Sequence, residues 1–160
     1  MNFKDEYILT KELYREGTVF SSKRKLLYVS IISGILIPVS ILTELWISFL
    51  LVLIIWTHAL TTFMYYNNNV NKWYSDVCKE HKSEKLDTII EFNDKVRYIV
   101  CGKERVACTY NDIIKVRESK NLLIVVIRFE NKNRILLVTK NKITKKDLKK
   151  LIVQRKGEVK

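Results

Sequence analysis

Residues 41–48, ILTELWIS, place one carboxylate inside the most apolar part of the chain. Glu44 is the only Asp, Glu, Lys or Arg between positions 26 and 66. A carboxylate at the centre of a hydrocarbon layer costs about 2.5 kcal/mol or more. Glu44 therefore either acts within a membrane or marks the point at which the chain leaves it.

The uncharged runs on either side of Glu44 favour the second alternative. Eighteen residues lie in 26–43 and twenty-six in 45–70, and a helix needs about 20 to cross a hydrocarbon core. A single helix over the whole block would be about twice too long, since a helix rises ~1.5 Å per residue. The lengths predict a transmembrane helical hairpin with helices at about 26–43 and 46–66, and with Glu44 and Trp46 at its turn.

Two features of the block leave room for other interpretations. Lys23, Arg24 and Lys25 resemble the start of a cleaved signal peptide, but the block begins late, lacks a small-residue cleavage site and is followed directly by a second span. The turn at 43–46 contains no Gly, Pro or Asn to break a helix. The hairpin is still the better interpretation, because it explains both lengths.

Basic residues flank the apolar block on both sides. Lys and Arg stay on the cytoplasmic side of a membrane, so the flanks predict a multi-pass protein of the cell membrane with both termini cytoplasmic. Trp46 suits the outer interface, while Tyr65, Tyr66 and Trp73 suit the inner one. The flanking bases are Lys23, Arg24, Lys25, Lys72, Lys79, Lys82 and Lys85.

His58 is the other titratable residue of the block. It could serve as a proton relay or ion ligand, or it could form an interhelical hydrogen bond with a neighbour such as Thr57, Thr61 or Thr62. The hydrogen bond is favoured, since two spans enclose no pathway without oligomerisation. A homo-oligomer stays open as an alternative.

The polar segment 67–85 predicts a stalk that leads from the membrane to the C-terminal half of the chain. Val70, Trp73, Val77 and His81 recur at three- and four-residue spacing, which is typical of a helix continuing out of the bilayer. A loop nucleated by the asparagine run is the alternative.

From residue 86 onward the hydrophobic period changes to two, and β-branched residues dominate. Thr144 and Asp147 then have the spacing of a helix-capping pair. We expect an α+β membrane protein in which the helical hairpin precedes a small antiparallel β domain at 86–160, closed by a helix at 144–156. The predicted strands are 86–92, 96–100, 105–110, 113–118, 122–129 and 134–139.

The predicted C-terminal helix has one apolar face and one basic face. The bases could contact anionic lipid headgroups at about 1 kcal/mol each, or they could form an ordinary solvated face. The candidate lipid contacts, including those before the first span, are Lys23, Arg24, Lys25, Lys145, Lys146, Lys149 and Lys150.

The charge distribution, the cysteines and the lack of catalytic motifs argue against a nucleic-acid partner, a metal site and an enzyme. Residues 67–160 carry twenty-three Lys/Arg and twelve Asp/Glu, net +11, yet the bases are dispersed and few aromatics accompany them, so no nucleic-acid partner is expected. Cys78, Cys101 and Cys108 are odd in number and lack CxxC spacing. No glycine-rich phosphate loop or GxSxG motif is present. We expect no catalytic residue, no cofactor and no metal.

Three stretches of the chain, YILTKELY at 7–14, TYNDIIKV at 109–116 and ILLVTKNKI at 135–143, together resemble one family. This is the bacterial YcxB-like family, whose cytosolic part is pleckstrin-homology-like (PH-like). The first stretch resembles its opening strand and a short helix before the first span, so residues 1–25 are expected to form a cytosolic strand and helix. The second is similar to its aromatic, polar, Asp, Ile pattern, with the frequent Trp replaced, and the third stands where the family often reads Ile-Pro-Lys-Arg, with the Pro replaced. The resemblance implies a membrane-anchored PH-like module and transfers no active-site residue.

These observations favour a non-catalytic binding or regulatory module at the inner leaflet. Its partners would be the bilayer and either anionic headgroups or a membrane or cytosolic protein. The alternative is an immunity or accessory protein that acts through its hairpin on a toxin, transporter or kinase.

Overall fold

The computed structural model describes residues 3–158. The chain is α+β, with two long apolar helices, two antiparallel sheets and a C-terminal helix, as the sequence predicts. It divides into a helical unit, residues 18–73, and a β unit, residues 3–17 with 74–158. The elements are β1 (Phe3–Leu9), α1 (Lys11–Leu42), α2 (Trp46–His81), β2 (Leu86–Phe92), β3 (Val96–Val100), β4 (Lys103–Cys108), β5 (Ile113–Glu118), β6 (Leu122–Phe129), β7 (Lys132–Thr139) and α3 (Lys145–Glu158).

The two long helices are inserted between neighbouring strands of one sheet. The four-stranded sheet has the order β1-β2-β3-β4, and the three-stranded sheet has the order β5-β6-β7. β1 pairs antiparallel with β2, with Leu9 opposite Leu86. β1 is thus an edge strand of the sheet that the domain at 86–160 builds, and its Phe3 and Tyr7 pack against the core of that domain.

Both long helices extend beyond the predicted spans. α1 begins at Lys11 rather than near residue 26, and α2 runs through most of the predicted stalk to His81. Contacts within the β unit account for the additional turns. The Tyr74 hydroxyl donates to the Leu9 carbonyl at 3.0 Å, and the Glu16 carboxylate accepts from the Asn121 amide nitrogen at 2.7 Å.

Local turn geometry shifts two strand boundaries. Cys101 and Gly102 have φ of 49° and 74°, so the turn after β3 is tight and β4 begins at Lys103 rather than 105. Glu130 and Asn131 also have positive φ, so a two-residue turn, typical of hairpins, lets β7 begin two residues earlier than predicted. α3 occupies Lys145–Glu158 instead of 144–156.

One core joins both sheets and α3. It includes fully buried side chains from β2, β6 and α3, such as Phe92, Leu123 and Leu148. The opposite face of the three-stranded sheet is also covered, because Gly17 of α1 lies directly against Leu137. The first turns of α1 are therefore part of the β unit's packing.

Candidate membrane hairpin and basic groove

The helical unit exposes an apolar surface along both helices. Only 11% of the most apolar window of α1 and 6% of that of α2 are buried, whereas a core helix of a soluble domain would be mostly buried. Both helices are long and apolar enough to cross a membrane. The exposed large apolar residues include Leu27, Ile31, Ile35, Val39, Leu42, Trp46, Ile47, Leu50, Ile54 and Ile55.

Glu44 terminates α1 through its backbone. It adopts the left-handed conformation, with φ of 55°. Its amide donates to the Ile41 carbonyl at 3.2 Å, and the Leu45 amide donates to the Ser40 carbonyl at 3.0 Å. This pair of bonds is the Schellman arrangement, which usually has glycine at the left-handed position. The turn therefore forms without Gly, Pro or Asn, and the Glu44 side chain is exposed.

Aromatic and basic side chains mark the opposite ends of the apolar surface from this turn. Lys23, Arg24 and Lys25 are exposed, and the Arg24 guanidinium lies 5.4 Å from the centre of the Tyr28 ring. On α2 the rings of Tyr65, Tyr66 and Trp73 contact each other, with centroids 5.6 to 5.9 Å apart. The three aromatics predicted for the inner interface thus form one cluster, while Trp46 is exposed beside the turn.

His58 lies on the exposed surface of α2. The hydroxyls of Thr61 and Thr62 donate to its backbone carbonyl at 3.0 and 2.7 Å, so these threonines are engaged within their own helix. A hydrogen bond between the two helices of this unit runs from Trp56 Nε1 to Ser30 Oγ at 3.1 Å. The interhelical hydrogen bond expected for His58 stays a prediction.

A groove of about 530 Å³ lies in the β unit, where β5, β7 and the start of α3 meet. Its lining consists of four lysine side chains, one carboxylate, and one isoleucine and one threonine from the segment before α3. The lining residues are Glu118, Lys140, Ile143, Thr144, Lys145, Lys146 and Lys149. The groove thus contains three of the four lysines predicted to form the basic face of the C-terminal helix, and Lys150 is not part of its lining.

Capping fixes the start of α3 beside the groove. The Thr144 hydroxyl donates to Asp147 Oδ2 at 2.6 Å, and the Asp147 amide donates back to Thr144 Oγ1 at 3.2 Å. Leu148, Leu151 and Ile152 anchor the opposite face of the helix in the core. Because α3 is held at its cap and along its apolar face, the backbone of its first-turn lysines is held in place beside the groove.

Glu118 is the internal counter-ion of the groove. Its carboxylate lies 2.7 Å from Lys140 Nζ and 4.0 Å from Lys145 Nζ. The hydrogen bond from Lys140 lowers the pKa of the Glu118 carboxyl. Lys140 also donates to the Ser119 carbonyl at 3.2 Å. The sequence alone does not single out Glu118 or Lys140, because it is the pairing of the strands that brings them next to α3.

A second polar cluster ties the end of α2 to β4. Arg105 Nη2 lies 2.8 Å from Glu80 Oε2 and 2.6 Å from His81 Nε2. An arginine only donates, so Nε2 of His81 is the acceptor. Desolvation, followed by the Arg105 charge, lowers the pKa of the His81 imidazole. Neutral His81 is thus the form that this cluster favours.

The cysteines are dispersed through the β unit. Cys78 and Cys101 are half-buried, and Cys108 is buried; burial, followed by the Asp112 charge, raises the pKa of the Cys108 thiol to about 11. Within residues 3–158, no three His, Cys, Asp or Glu side chains are grouped as metal ligands.

No protein-family model, curated protein or solved structure matches this chain.

Proposed function

We propose that this protein is a membrane-anchored, non-catalytic binding or regulatory module at the inner leaflet of the cell membrane, with both termini cytoplasmic. The observation that carries the proposal is the insertion of an exposed apolar helix pair between β1 and β2. A bilayer would cover the apolar side chains that the described part of the chain leaves exposed. The β domain would then stand at the cytoplasmic surface.

The ends of the hairpin support this orientation. Lys23, Arg24 and Lys25 precede the apolar surface of α1, and the cluster of Tyr65, Tyr66 and Trp73 ends that of α2. Bases and interfacial aromatics are expected at the cytoplasmic boundary. The turn at Glu44 would reach the outer interface, where its carboxylate would be hydrated.

The arrangement of the β unit supports a PH-like fold. Antiparallel sheets of four and three strands, closed by a C-terminal helix, are the layout that a PH-like domain would have. The hairpin then occupies the connection between its first two strands. On this basis we also propose that the chain belongs to the YcxB-like family.

The exposed bases would add to the attachment. Lys23, Arg24 and Lys25 lie where the chain would enter the bilayer, and bases near an anionic leaflet contribute about 1 kcal/mol each. The lysines of α3 would provide a second contact or a ligand site. The groove supports a ligand site for Lys145, Lys146 and Lys149, whereas Lys150 is left as a surface contact.

His58 favours a second candidate function, in which the hairpin itself binds a toxin, transporter or kinase in the membrane. Thr57, His58 and Thr61 are exposed on α2 within the apolar span. An imidazole facing lipid is costly, and a helix of another protein would cover it.

Hairpin exchange separates the two candidates. The full chain and a chain with an unrelated transmembrane hairpin between β1 and β2 are expressed, extracted in detergent and used to recover partners from native membranes. A cytoplasmic module would keep its partners after the exchange. Loss of partners on exchange, reproduced by His58→Leu in the native hairpin, would instead favour the second candidate. Release of the native chain by alkaline carbonate would contradict membrane anchoring altogether.

A further inference from the structure

The groove at the start of α3 has the dimensions of a small-ligand site. About 530 Å³ falls within the range of roughly 300–1,000 Å³ that such sites occupy. Its lining includes the buried side chain of Ile143 and four lysines. Three separate segments supply the lining, so the folded β unit, and no single stretch of sequence, forms the site.

The charges in the groove do not cancel. Lys140, Lys145, Lys146 and Lys149 supply four positive charges against the one carboxylate of Glu118. Glu118 is shared between Lys140 and Lys145. Among the described residues, Lys146 and Lys149 form no ion pair. A bound anion carrying two or more charges would offset this excess, whereas a single carboxylate would not.

The lining also selects among anions. Lysine ammonium groups are compact donors that bind phosphate as point charges. The groove has no aromatic lining on which bases could stack, as single-stranded nucleic acid requires. A small group with several clustered oxygens fits this donor set best.

We infer that the groove binds a phosphomonoester or diphosphate group, held by Lys140, Lys145, Lys146 and Lys149, with Glu118 as the counter-ion that the ligand displaces. This deepens the proposed function by naming the ligand chemistry, and it rests on that function only where the phosphate belongs to a lipid headgroup. A free phosphorylated compound carries the same chemistry.

Lysine acylation of the full chain tests the site directly. The chain is placed in phosphatidylcholine nanodiscs, treated with an acylating reagent, and each lysine is quantified by mass spectrometry. Three samples are compared: neutral discs, neutral discs with pyrophosphate, and discs of phosphatidylcholine and phosphatidate at nine to one. Lys95 and Lys132 are internal controls, because both are exposed and lie on other turns or strands.

Protection of Lys145, Lys146 and Lys149 beyond that of the controls is the expected result. Protection by pyrophosphate alone identifies a free phosphate compound, protection by phosphatidate alone identifies a headgroup, and protection by both identifies the shared chemistry. Equal protection of groove and control lysines in both samples overturns the inference. The pyrophosphate sample needs no anionic bilayer, so its result is separate from the failure of membrane anchoring, which carbonate extraction reports.

Two matched pairs of variants give the affinity. Pyrophosphate titration of Lys145→Gln/Lys149→Gln should be weaker by about 25-fold, at about fivefold per lysine, while Lys95→Gln/Lys132→Gln should change it less than twofold. Glu118→Gln should tighten binding several-fold more than Glu84→Gln, which removes the same charge elsewhere. If a groove variant and its control, both with native circular dichroism, change the pyrophosphate affinity equally, the groove is not a specific binding site.

Discussion

Gly17 provides a sharp test of how α1 is attached to the β unit. A Cβ atom at this position would lie 2.4 Å from Leu137 Cδ2 and 2.8 Å from Cδ1, and Leu137 is buried. Overpacking of this kind costs about 1–3 kcal/mol, while replacing a helical glycine by alanine gains about 1 kcal/mol. Because the two effects oppose each other, Gly17→Ala should lose about 0–2 kcal/mol of unfolding free energy, and it should be about 1–3 kcal/mol less stable than a glycine-to-alanine variant of the same helix that meets no such contact.

Gly34→Ala is the matched control. It lies in the same helix, and a Cβ there meets nothing within 4 Å, so this variant should be as stable as the native chain or slightly more stable. Thermal unfolding of the full chain in detergent should show a melting temperature about 5 °C lower for Gly17→Ala than for Gly34→Ala, at about 2–4 °C per kcal/mol. In a Leu137→Ala background the Gly17→Ala loss should disappear, as a double-mutant cycle would measure. Equal melting temperatures for the two glycine variants would refute the packing of α1 on Leu137.

Three further predictions concern the turn, the buried acid and the histidine cluster. Glu44→Gly should stabilise the hairpin by about 1 kcal/mol and Glu44→Val should destabilise it, since a left-handed non-glycine residue costs roughly 1–2 kcal/mol; unfolding in detergent that ranks them in the opposite order would contradict the observed turn. Thr139→Val should cost about 2 kcal/mol, because the buried Asp5 carboxylate loses the Thr139 hydroxyl at 2.8 Å, and no change in denaturant midpoint would argue against this bond. Because the pKa of His81 is lowered in the folded state, its contribution is complete above about pH 6.5 and is lost as the pH falls below that value. Hydrogen exchange of the backbone amides at the end of α2, corrected for intrinsic rates, should therefore become faster below about pH 6.5. If the His81→Gln variant shows the same acceleration, a group other than His81 causes it.

Local patterns predicted the β strands because their signals lie within a few residues of each other. The alternation after residue 86 and the cap at Thr144 each depend on neighbouring side chains, and the structure places strands and a helix there. The differences at β4 and β7 arise from left-handed residues, such as Cys101 and Glu130, whose residue types do not usually signal a turn.

The pairing of β1 with β2 could not be read from the sequence, because Leu9 and Leu86 are separated by the whole helical hairpin. A short helix before the first span is expected from residues 7–14, but its continuity with that span over Lys11–Leu42 is not, since the polar turns carry no hydropathy signal and are held by contacts such as Glu16 with Asn121. The groove was found only in part for the same reason. Three lysines of α3 follow from helical periodicity, but Glu118 and Lys140 reach them through the connectivity of the second sheet.

In the proposed topology, the hairpin crosses the membrane from the cytoplasm and turns at its outer face. Thr43→Cys, in a chain whose three native cysteines are replaced by serine, places one exposed thiol beside Glu44 and retains the acid. An impermeant maleimide applied to intact cells should label this chain. The native chain, whose half-buried Cys101 lies in the β unit, should be labelled only after the cells are opened and the protein is denatured. Labelling of the native chain in intact cells, or labelling of Thr43→Cys only after the cells are opened, would contradict this topology.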